Sequence, residues 1–258
     1  MSPAGDESAL WAEALATLEA GFENLPPFEP ATDTARLREV LRDVALRLRD
    51  NYPYPHPLYA GQMLKPPHVV ARLAYALAMW VNPNNHALDG GRASSALEQE
   101  AVARLAALFG WASHLGHLCG GGTMANLEAL WVARHVSPGA VLASEQAHYT
   151  HERLSGVLGL PFRAVAADQH ARLDVNALER ALDEEDVGTV VVTLGATATG
   201  AVDPLPEVLA LRETHDFRIH VDAAYGGYFG LARNLAPAAR AAFDALAEAD
   251  SIVIDPHK

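Results

Sequence analysis

The sequence is poor in cysteine, in basic residues and in long apolar runs, and each shortage argues against a class of protein. Its single cysteine, Cys119, cannot form an internal disulfide bond, which fits a reducing compartment. The formal net charge of −13 disfavours nucleic acid as a partner, because such a surface repels phosphates. The longest apolar stretch, residues 69–81, contains Arg72 and is too short to span a bilayer. The acidic N-terminus does not resemble a signal peptide. We therefore expect a cytoplasmic protein that binds neither nucleic acid nor a membrane.

Half of the 258 residues are hydrophobic, which is enough for a large core. In the first part of the chain, the spacing of apolar residues predicts helices at 9–25, 34–48, 67–81 and from Ser94 or Ser95 to Phe109. Thr32 or Asp33 can cap the second helix, and Glu98 and Gln99 are placed for a capping box in the fourth. The third helix is apolar enough that we expect it to be buried.

Two segments between these helices are rich in proline. Residues 26–30 separate the first two helices, and residues 52–61 combine prolines with tyrosines. Prolines prevent regular structure, so the second segment is expected to be an ordered loop. Two interpretations of it stay open: a linker that packs its tyrosines together, and a wall of a binding site.

From Leu118 onward, short apolar strands alternate with helices. Strands are predicted at 140–143, 162–165, 189–194, 217–221 and 251–254, and helices at 123–136, from near His148, at 174–183, 204–214 and 237–247. Strands that are apolar throughout and alternate with helices indicate an α/β fold with a mainly parallel sheet covered on both faces. In such sheets, ligands bind beyond the carboxyl ends of the strands.

A glycine-rich loop, residues 120–122, leads directly into a predicted helix that begins with Thr123. Exposed N–H groups and the helix dipole can form an anion cradle there. The loop is not a P-loop, because no Gly-Lys-Ser/Thr follows, and it lacks the spacing of a dinucleotide-binding fold. Taken alone, it is equally well explained as a tight connection.

Four further polar side chains follow predicted strands. They are His148, Thr197, Asp222 and Lys258. Each has a plain structural explanation: a capping histidine, a turn, a loop cap and a surface lysine. Together with the glycine loop they form the set that a pyridoxal phosphate site needs. Donors hold the phosphate, a ring stacks on the cofactor, a carboxylate holds the pyridine proton, and a lysine forms a Schiff base with the aldehyde.

Four sequence segments carry a resemblance to a known family. They are residues 121–126 (GGTMAN), 146–148 (QAH), 220–225 (HVDAAY) and 255–258 (DPHK). The chain resembles the group II pyridoxal-phosphate-dependent amino acid decarboxylases over at least residues 52–258. The resemblance implies the aspartate-aminotransferase-like fold, called fold type I, and a homodimer when the protein is full length.

The resemblance also implies roles for five residues around the cofactor ring. Lys258 resembles the lysine that holds the cofactor, and Asp222 resembles the partner of the pyridine nitrogen. Ala224 and His148 resemble the residues on the two faces of the ring, and Thr197 resembles a hydroxyl near it. The catalytic residues implied in this way are Lys258, Asp222 and His148, which can assist proton transfer.

Four more residues fall where the family contacts the cofactor phosphate. They are Thr123, Met124, Ala125 and His257. The family often has asparagine at the position of Asp255. We leave Asp255 unassigned, because an added negative charge near a phosphate weakens binding unless it points away.

The implied reaction is loss of CO2 from an L-amino acid to give the amine. Two alternatives are another fold type I enzyme, such as an aminotransferase or a carbon–carbon lyase of the sphingosine-phosphate type, and an inactive fragment. Arg92 is a hypothetical partner for a substrate carboxylate, with an exposed arginine at a helix start as the alternative. The twelve histidines, including the pairs 114/117 and 148/151, prompt a further alternative, a metal-dependent hydrolase. No ligand spacing such as H-E-x-x-H occurs, so we predict no metal site.

The resemblance also sets the expected domains. Residues 1–65 are expected to form an N-terminal helical and dimerisation segment, and residues 66–258 an incomplete cofactor-binding domain. Family members continue past the lysine with further strands and a smaller C-terminal domain. We therefore expect the chain to be a fragment that is marginally folded and inactive alone.

Overall fold

The computed structural model describes residues 4–26, 33–61 and 66–258, which divide into two compact units. The first comprises the described residues up to Ser94 together with His257, and the second comprises Ser95–Pro256 and Lys258. The predicted division into segments 1–65 and 66–258 stays a prediction. Most of the predicted linker at 26–30 and the predicted cap Thr32 lie outside the described residues.

Helix α2 (Thr34–Leu48) of the first unit has the predicted bounds. Asp33 caps it by accepting a hydrogen bond from the Arg36 N–H at 3.0 Å. Helix α1 (Ala4–Ala20) lies earlier than the predicted 9–25. It ends where the N–H groups of Gly21 and Phe22 bond three residues back, at 3.1 and 2.9 Å, which tightens the last turn.

Helix α3 (Val69–Val81) exists as predicted, but the expectation that it is buried was wrong. None of its residues is buried, and Tyr75 is 71% exposed. The apolar side chains of α3 point in all directions around its axis. The neighbouring elements among the described residues do not cover every side of the helix. Asn82 ends the helix in the left-handed conformation, with φ of 49°.

Helix α4 (Arg92–Leu108) begins two residues before the predicted start at Ser94, and the capping box is absent. The Ser94 hydroxyl donates to the carbonyl of Gly91 at 3.1 Å instead of accepting from a helical N–H. Glu98 accepts a hydrogen bond from the N–H of Leu118 at 2.8 Å, so its carboxylate anchors a loop rather than the helix start.

The loop at residues 52–61 packs its tyrosines together, which supports the linker interpretation. Tyr54 lies edge-on to Tyr59 with 5.1 Å between ring centroids, and Tyr52 stacks on Tyr59 at 6.3 Å. Such pairs stabilise a loop that proline keeps irregular.

In the second unit, helices and strands alternate as predicted. The helices that follow α4 are α5 (Gly122–Val136), α6 (Thr150–Leu158), α7 (Val175–Glu184), α8 (Leu205–Ala210) and α9 (Pro237–Asp244). The strands are β1 (Ala140–Ser144), β2 (Phe162–Val165), β3 (Val187–Thr193), β4 (Arg218–Ala223) and β5 (Ser251–Ile254). Short 3₁₀ turns at 211–213 and 246–248 shorten the predicted helices 204–214 and 237–247, and a third 3₁₀ turn lies at 227–231.

The five strands form a single parallel sheet in the order β2-β1-β3-β4-β5. The predicted parallel α/β architecture is therefore confirmed. The chain runs from β1 outward to β2 and then returns to β3 on the other side of β1, so the order reverses between β1 and β3. Open parallel sheets bind ligands at the carboxyl ends near such a reversal.

The alternation of side chains along the strands assigns residues to two faces of the sheet. Val141, Ala143 and Val191 join a core cluster with Leu130 of α5 and Leu154 of α6. The opposite face builds a larger cluster with α7, α8 and α9, and includes Leu142, Val190, Val192 and Ile219. Each fully buried side chain of this size stabilises the fold by about 1.5–3 kcal/mol. No helix among the described residues has the length and apolarity needed to cross a bilayer.

Candidate active site

A cavity opens at the carboxyl ends of β1, β3 and β4, next to the start of α5. Its walls are Gly122, Thr123, Asn126, His148, Thr150, Thr193, Gly195, Thr197, Asp222, Ala224, Tyr225 and Lys258. All of them belong to the second unit. Six of the predicted site residues are therefore brought together: Thr123, His148, Thr197, Asp222, Ala224 and Lys258.

Asp222 lies inside β4 rather than just beyond it, paired with Thr193 on one side and Val253 on the other. Its side chain is 5% exposed. Oδ2 accepts a hydrogen bond from His151 Nε2 at 2.8 Å, and Oδ1 accepts one from the N–H of Ala224 at 3.0 Å. Burial raises the pKa of Asp222, but the hydrogen bonds from His151 and Ala224 outweigh it and lower the pKa to about 2. The carboxylate is thus ionised at any physiological pH.

His148 precedes α6, which begins at Thr150, two residues later than predicted. The Thr150 hydroxyl lies 2.6 Å from Nδ1 of His148, and the Tyr149 ring lies beside it with centroids 4.3 Å apart. Burial lowers the pKa of His148, although the nearby Asp222 carboxylate opposes the shift. The lowered pKa favours the neutral ring, which lines the cavity.

Lys258 reaches the cavity from the end of the chain segment that follows β5. Its Nζ lies 3.6 Å from Oδ2 of Asp255. Gly122 lies close to it, since a Cβ added at Gly122 would be 3.8 Å from Nζ and 3.1 Å from the Cβ of Ala224. The glycine therefore allows the start of α5 to approach both the lysine and the alanine.

The start of α5 supplies N–H groups that have no partner within the helix. Gly121 is the N-cap, with φ of 113°, and the first helical bond runs from the N–H of Ala125 to the carbonyl of Gly121 at 3.0 Å. The N–H groups of Gly122, Thr123 and Met124 precede that bond and point out of the helix end. Such an end attracts anions. Ala125 uses its N–H inside the helix and cannot offer it to a ligand.

Three of the predicted phosphate contacts are not placed in the cavity. Met124 and Ala125 are not among its walls. His257 belongs to the first compact unit, so its predicted role stays a prediction. Arg92 is exposed at the first residue of α4 and also belongs to the first unit.

Comparisons with known proteins identify the kind of site. A model of the pyridoxal-dependent decarboxylase conserved domain matches residues 135–258. A probable L-tyrosine/L-aspartate decarboxylase of Methanosphaerula palustris is 32% identical over 206 residues, which cover 79% of this chain and 55% of that protein.

The chain belongs to the pyridoxal-dependent decarboxylase family. A probable L-aspartate decarboxylase of Haloarcula marismortui is 34% identical over 203 residues, covering 77% of the chain and 55% of that protein. The crystal structure of mouse CSAD in apo form superimposes with a TM-score of 0.79 at 26% identity, covering 93% of the chain and 54% of that structure. The chain thus spans about half the length of the relatives it matches.

The family's cofactor, pyridoxal 5'-phosphate, fits the residues present. The N–H groups at the start of α5 that have no partner within the helix suit its phosphate, and the ionised Asp222 suits a protonated pyridine nitrogen. Thr193 adds a second indication, because its buried Oγ1 lines the cavity and has no hydrogen-bond partner among the described residues. A polar ligand in the cavity would satisfy that hydroxyl.

Three residues around this decarboxylase-family site had no predicted role there. Asn126 and His220 are buried and joined by a hydrogen bond of 2.8 Å, and His151 is buried against Asp222. His151 had been considered only as part of a histidine pair for a metal. Among the described residues, no cluster of histidine, cysteine and carboxylate side chains is arranged to hold a metal ion. The short spacing between His148, which precedes α6, and His151, in the first turn of α6, is a sequence signal that both lie at the start of that helix.

Proposed function

We propose that the full-length protein is a pyridoxal-phosphate-dependent decarboxylase that converts an L-amino acid to its amine and CO2. The observation that carries the proposal is the convergence of Asp222, His148 and Lys258 on one cavity that the N-terminus of α5 also lines. Membership of the decarboxylase family supports decarboxylation over the other reactions of this fold. The relatives named above act on tyrosine or aspartate by their names, which defines the first substrates to test.

The proposed roles of the chain's residues follow from their positions. Lys258 would hold the aldehyde carbon of the cofactor through Nζ, and the first turn of α5, with Thr123, would hold the phosphate. Asp222 would keep a proton on the pyridine nitrogen. When bound, the cofactor supplies an electron sink for the negative charge that CO2 leaves on the substrate.

His148 and Ala224 would enclose the two faces of the cofactor ring. The small side chain of Ala224 leaves room for a flat ring above β4, and the N–H of Ala224 is already bonded to Asp222. The neutral imidazole of His148 can stack on the ring. Unlike a protonated imidazole, it can also accept a proton. Thr197 would contribute a hydroxyl at the rim.

The first experiment is an absorbance spectrum of the full-length protein with pyridoxal phosphate. We expect the visible band of the lysine-bound cofactor in the wild type and its loss in Lys258→Ala. Lys65 is the only other lysine in this sequence, so Lys65→Ala is the matched control and should keep the band. A band that persists in Lys258→Ala would contradict the assignment of the lysine.

The second experiment measures the reaction. L-aspartate and L-tyrosine are incubated with the holoenzyme, and CO2, amine and keto acid are quantified. CO2 and amine in equal amounts support decarboxylation, whereas a keto acid without CO2 indicates transamination. Arg92→Ala tests the predicted contact with an acidic substrate, which fails if the ratio of kcat/KM values for aspartate and tyrosine does not change.

We also propose a homodimer for the full-length protein. Helix α2 supports it, because Leu37, Leu41, Val44 and Leu48 lie on one side by helical spacing and are 46–69% exposed. Light scattering of Leu41→Glu should show loss of the dimer, whereas Arg42→Glu, on the other side of α2, should leave it intact. A Leu41→Glu protein that remains dimeric would exclude α2 from the interface. The cytoplasmic location stays a prediction.

A further inference from the structure

His151 touches the carboxylate that is proposed to serve the cofactor, yet it does not line the cavity. It lies in the first turn of α6, three residues after His148, and is 0% exposed. Its Nε2 is 2.8 Å from Oδ2 of Asp222, a residue 71 positions away in the sequence. His148, just before α6, therefore lines the cavity, and His151, in the first turn of α6, contacts the carboxylate.

The hydrogen bonds around Asp222 leave His151 as its main side-chain donor. Ala224 donates its backbone N–H to Oδ1 at 3.0 Å, which orients that oxygen. Asn126 Nδ2 is 3.4 Å from Oδ2, and it makes a shorter bond of 2.9 Å to the carbonyl of Gly122. The short, buried contact with His151 is therefore the interaction that fixes Oδ2.

The second nitrogen of His151 shows that the ring serves Asp222 alone. Nδ1 is buried and has no hydrogen-bond partner among the described residues. A buried polar atom without a partner destabilises a protein, and an aliphatic side chain of similar size would avoid that loss. A histidine at this position is thus a poor choice for packing and is explained by what its other nitrogen does.

The geometry points to His151 as a positioning residue: by donating from Nε2 to Oδ2, it holds the Asp222 carboxylate ionised and oriented toward the pyridine nitrogen of the cofactor. This inference rests on the proposed cofactor site. It is supported by the fact that the bond from His151 is the largest of the interactions that lower the pKa of Asp222 against the effect of burial.

A role toward the pyridine nitrogen can be separated from a role in folding by changing the cofactor. In the 1-deaza analogue of pyridoxal phosphate, carbon replaces the ring nitrogen, so Asp222 has no N–H to accept. If His151 acts through Asp222 on that nitrogen, its loss weakens binding of the natural cofactor and spares the analogue. A histidine that only stabilises α6 affects both alike.

The experiment measures dissociation constants of both cofactors for the full-length protein, by fluorescence titration of the apoenzyme. His151→Val removes the donor, and His151→Gln keeps an N–H donor near the position of Nε2. Ser155→Ala is the matched control, because Ser155 is buried on the same helix and its hydroxyl has no partner among the described residues. A hydrogen bond to a charged group corresponds to an affinity change of about tenfold to a hundredfold.

We expect His151→Val to weaken pyridoxal phosphate by about tenfold or more and the analogue by less than about twofold. His151→Gln should recover most of the loss, and Ser155→Ala should change neither constant. Equal weakening of both cofactors in His151→Val, or no weakening of either, overturns the inference. If His151→Val does not fold, His151→Met provides the same comparison with a longer apolar side chain. Failure of the wild type to bind pyridoxal phosphate would instead contradict the proposed function itself.

Discussion

Gly122→Ala tests how closely the start of α5 must approach the floor of the site. The added Cβ would lie 3.1 Å from the Cβ of Ala224, 3.7 Å from Oδ2 of Asp255 and 3.8 Å from Nζ of Lys258. Carbon atoms prefer about 3.5–4.0 Å, so the helix or the strand must move by about half an ångström. Overpacking of this kind costs about 1–3 kcal/mol. Alanine also has less conformational freedom than glycine in the unfolded chain, which offsets about 0.4–1 kcal/mol of this loss of stability.

We therefore expect Gly122→Ala to lower the free energy of unfolding by about 1 kcal/mol, measured by urea denaturation, and to weaken cofactor binding. Gly156→Ala is the matched control, because Gly156 also lies in a helix but a Cβ there would meet no atom within 4 Å. That change should stabilise the protein by about 0.5–1 kcal/mol. If Gly122→Ala is as stable as Gly156→Ala and binds the cofactor normally, the close approach has no energetic consequence and the reasoning is refuted.

Two further predictions concern buried ionisable groups outside the cavity walls. Asp203 is 3% exposed and accepts hydrogen bonds from the N–H groups of Leu173 and Thr193 at 2.7 and 2.8 Å, so Asp203→Ala leaves two buried donors unpaired. We expect a loss of about 3 kcal/mol in urea denaturation, and a loss under about 1 kcal/mol would contradict the bridging role. Burial lowers the pKa of His220 from 6.5 to about 3, so its contribution to stability is full above pH 6.5 and is lost as the pH falls from there toward 3. Asp203 acts in the opposite direction, because burial raises its pKa from 3.8 to about 6 and the protein gains stability as the pH falls through that interval. Urea midpoints from about pH 7.5 to about pH 4.5 should therefore fall more steeply for the wild type than for His220→Gln, in which the Asp203 contribution is unchanged. Identical slopes would show that His220 does not govern the acid sensitivity.

The parallel sheet was predictable because each strand is short, apolar and separated from the next by a helix. A sheet covered by helices on both faces favours apolar side chains at most strand positions, so the strand composition itself indicates the architecture. The site followed from the same rule, because polar residues after such strands must meet at one edge of the sheet. Asp222 and Lys258 are 36 residues apart in the sequence and still line one cavity.

Burial and long-range pairing were not predictable in the same way. The apolar composition of α3 predicts a buried helix, yet Tyr75 is 71% exposed, because composition says nothing about whether a neighbour exists to cover it. The pairing of His151 with Asp222 depends on the packing of α6 over β1 and β3, which brings together residues 71 positions apart. A sequence pattern could suggest only the local pair with His148.

The polar residues of β4 explain what fixes the distance between the two ends of the cofactor site, which are the start of α5 and the Asp222 carboxylate. His220 and Asp222 are two residues apart, so both point to the side of the sheet that α5 and α6 cover. His220 donates from Nε2 to Oδ1 of Asn126 at 2.8 Å, and Asn126 Nδ2 donates to the carbonyl of Gly122 at 2.9 Å. The start of α5 is therefore tied to the same strand that carries the carboxylate. Because pyridoxal phosphate is rigid between its phosphate-bearing carbon and its ring nitrogen, a phosphate cradle and a pyridine partner anchored to one strand suit it better than two that move independently.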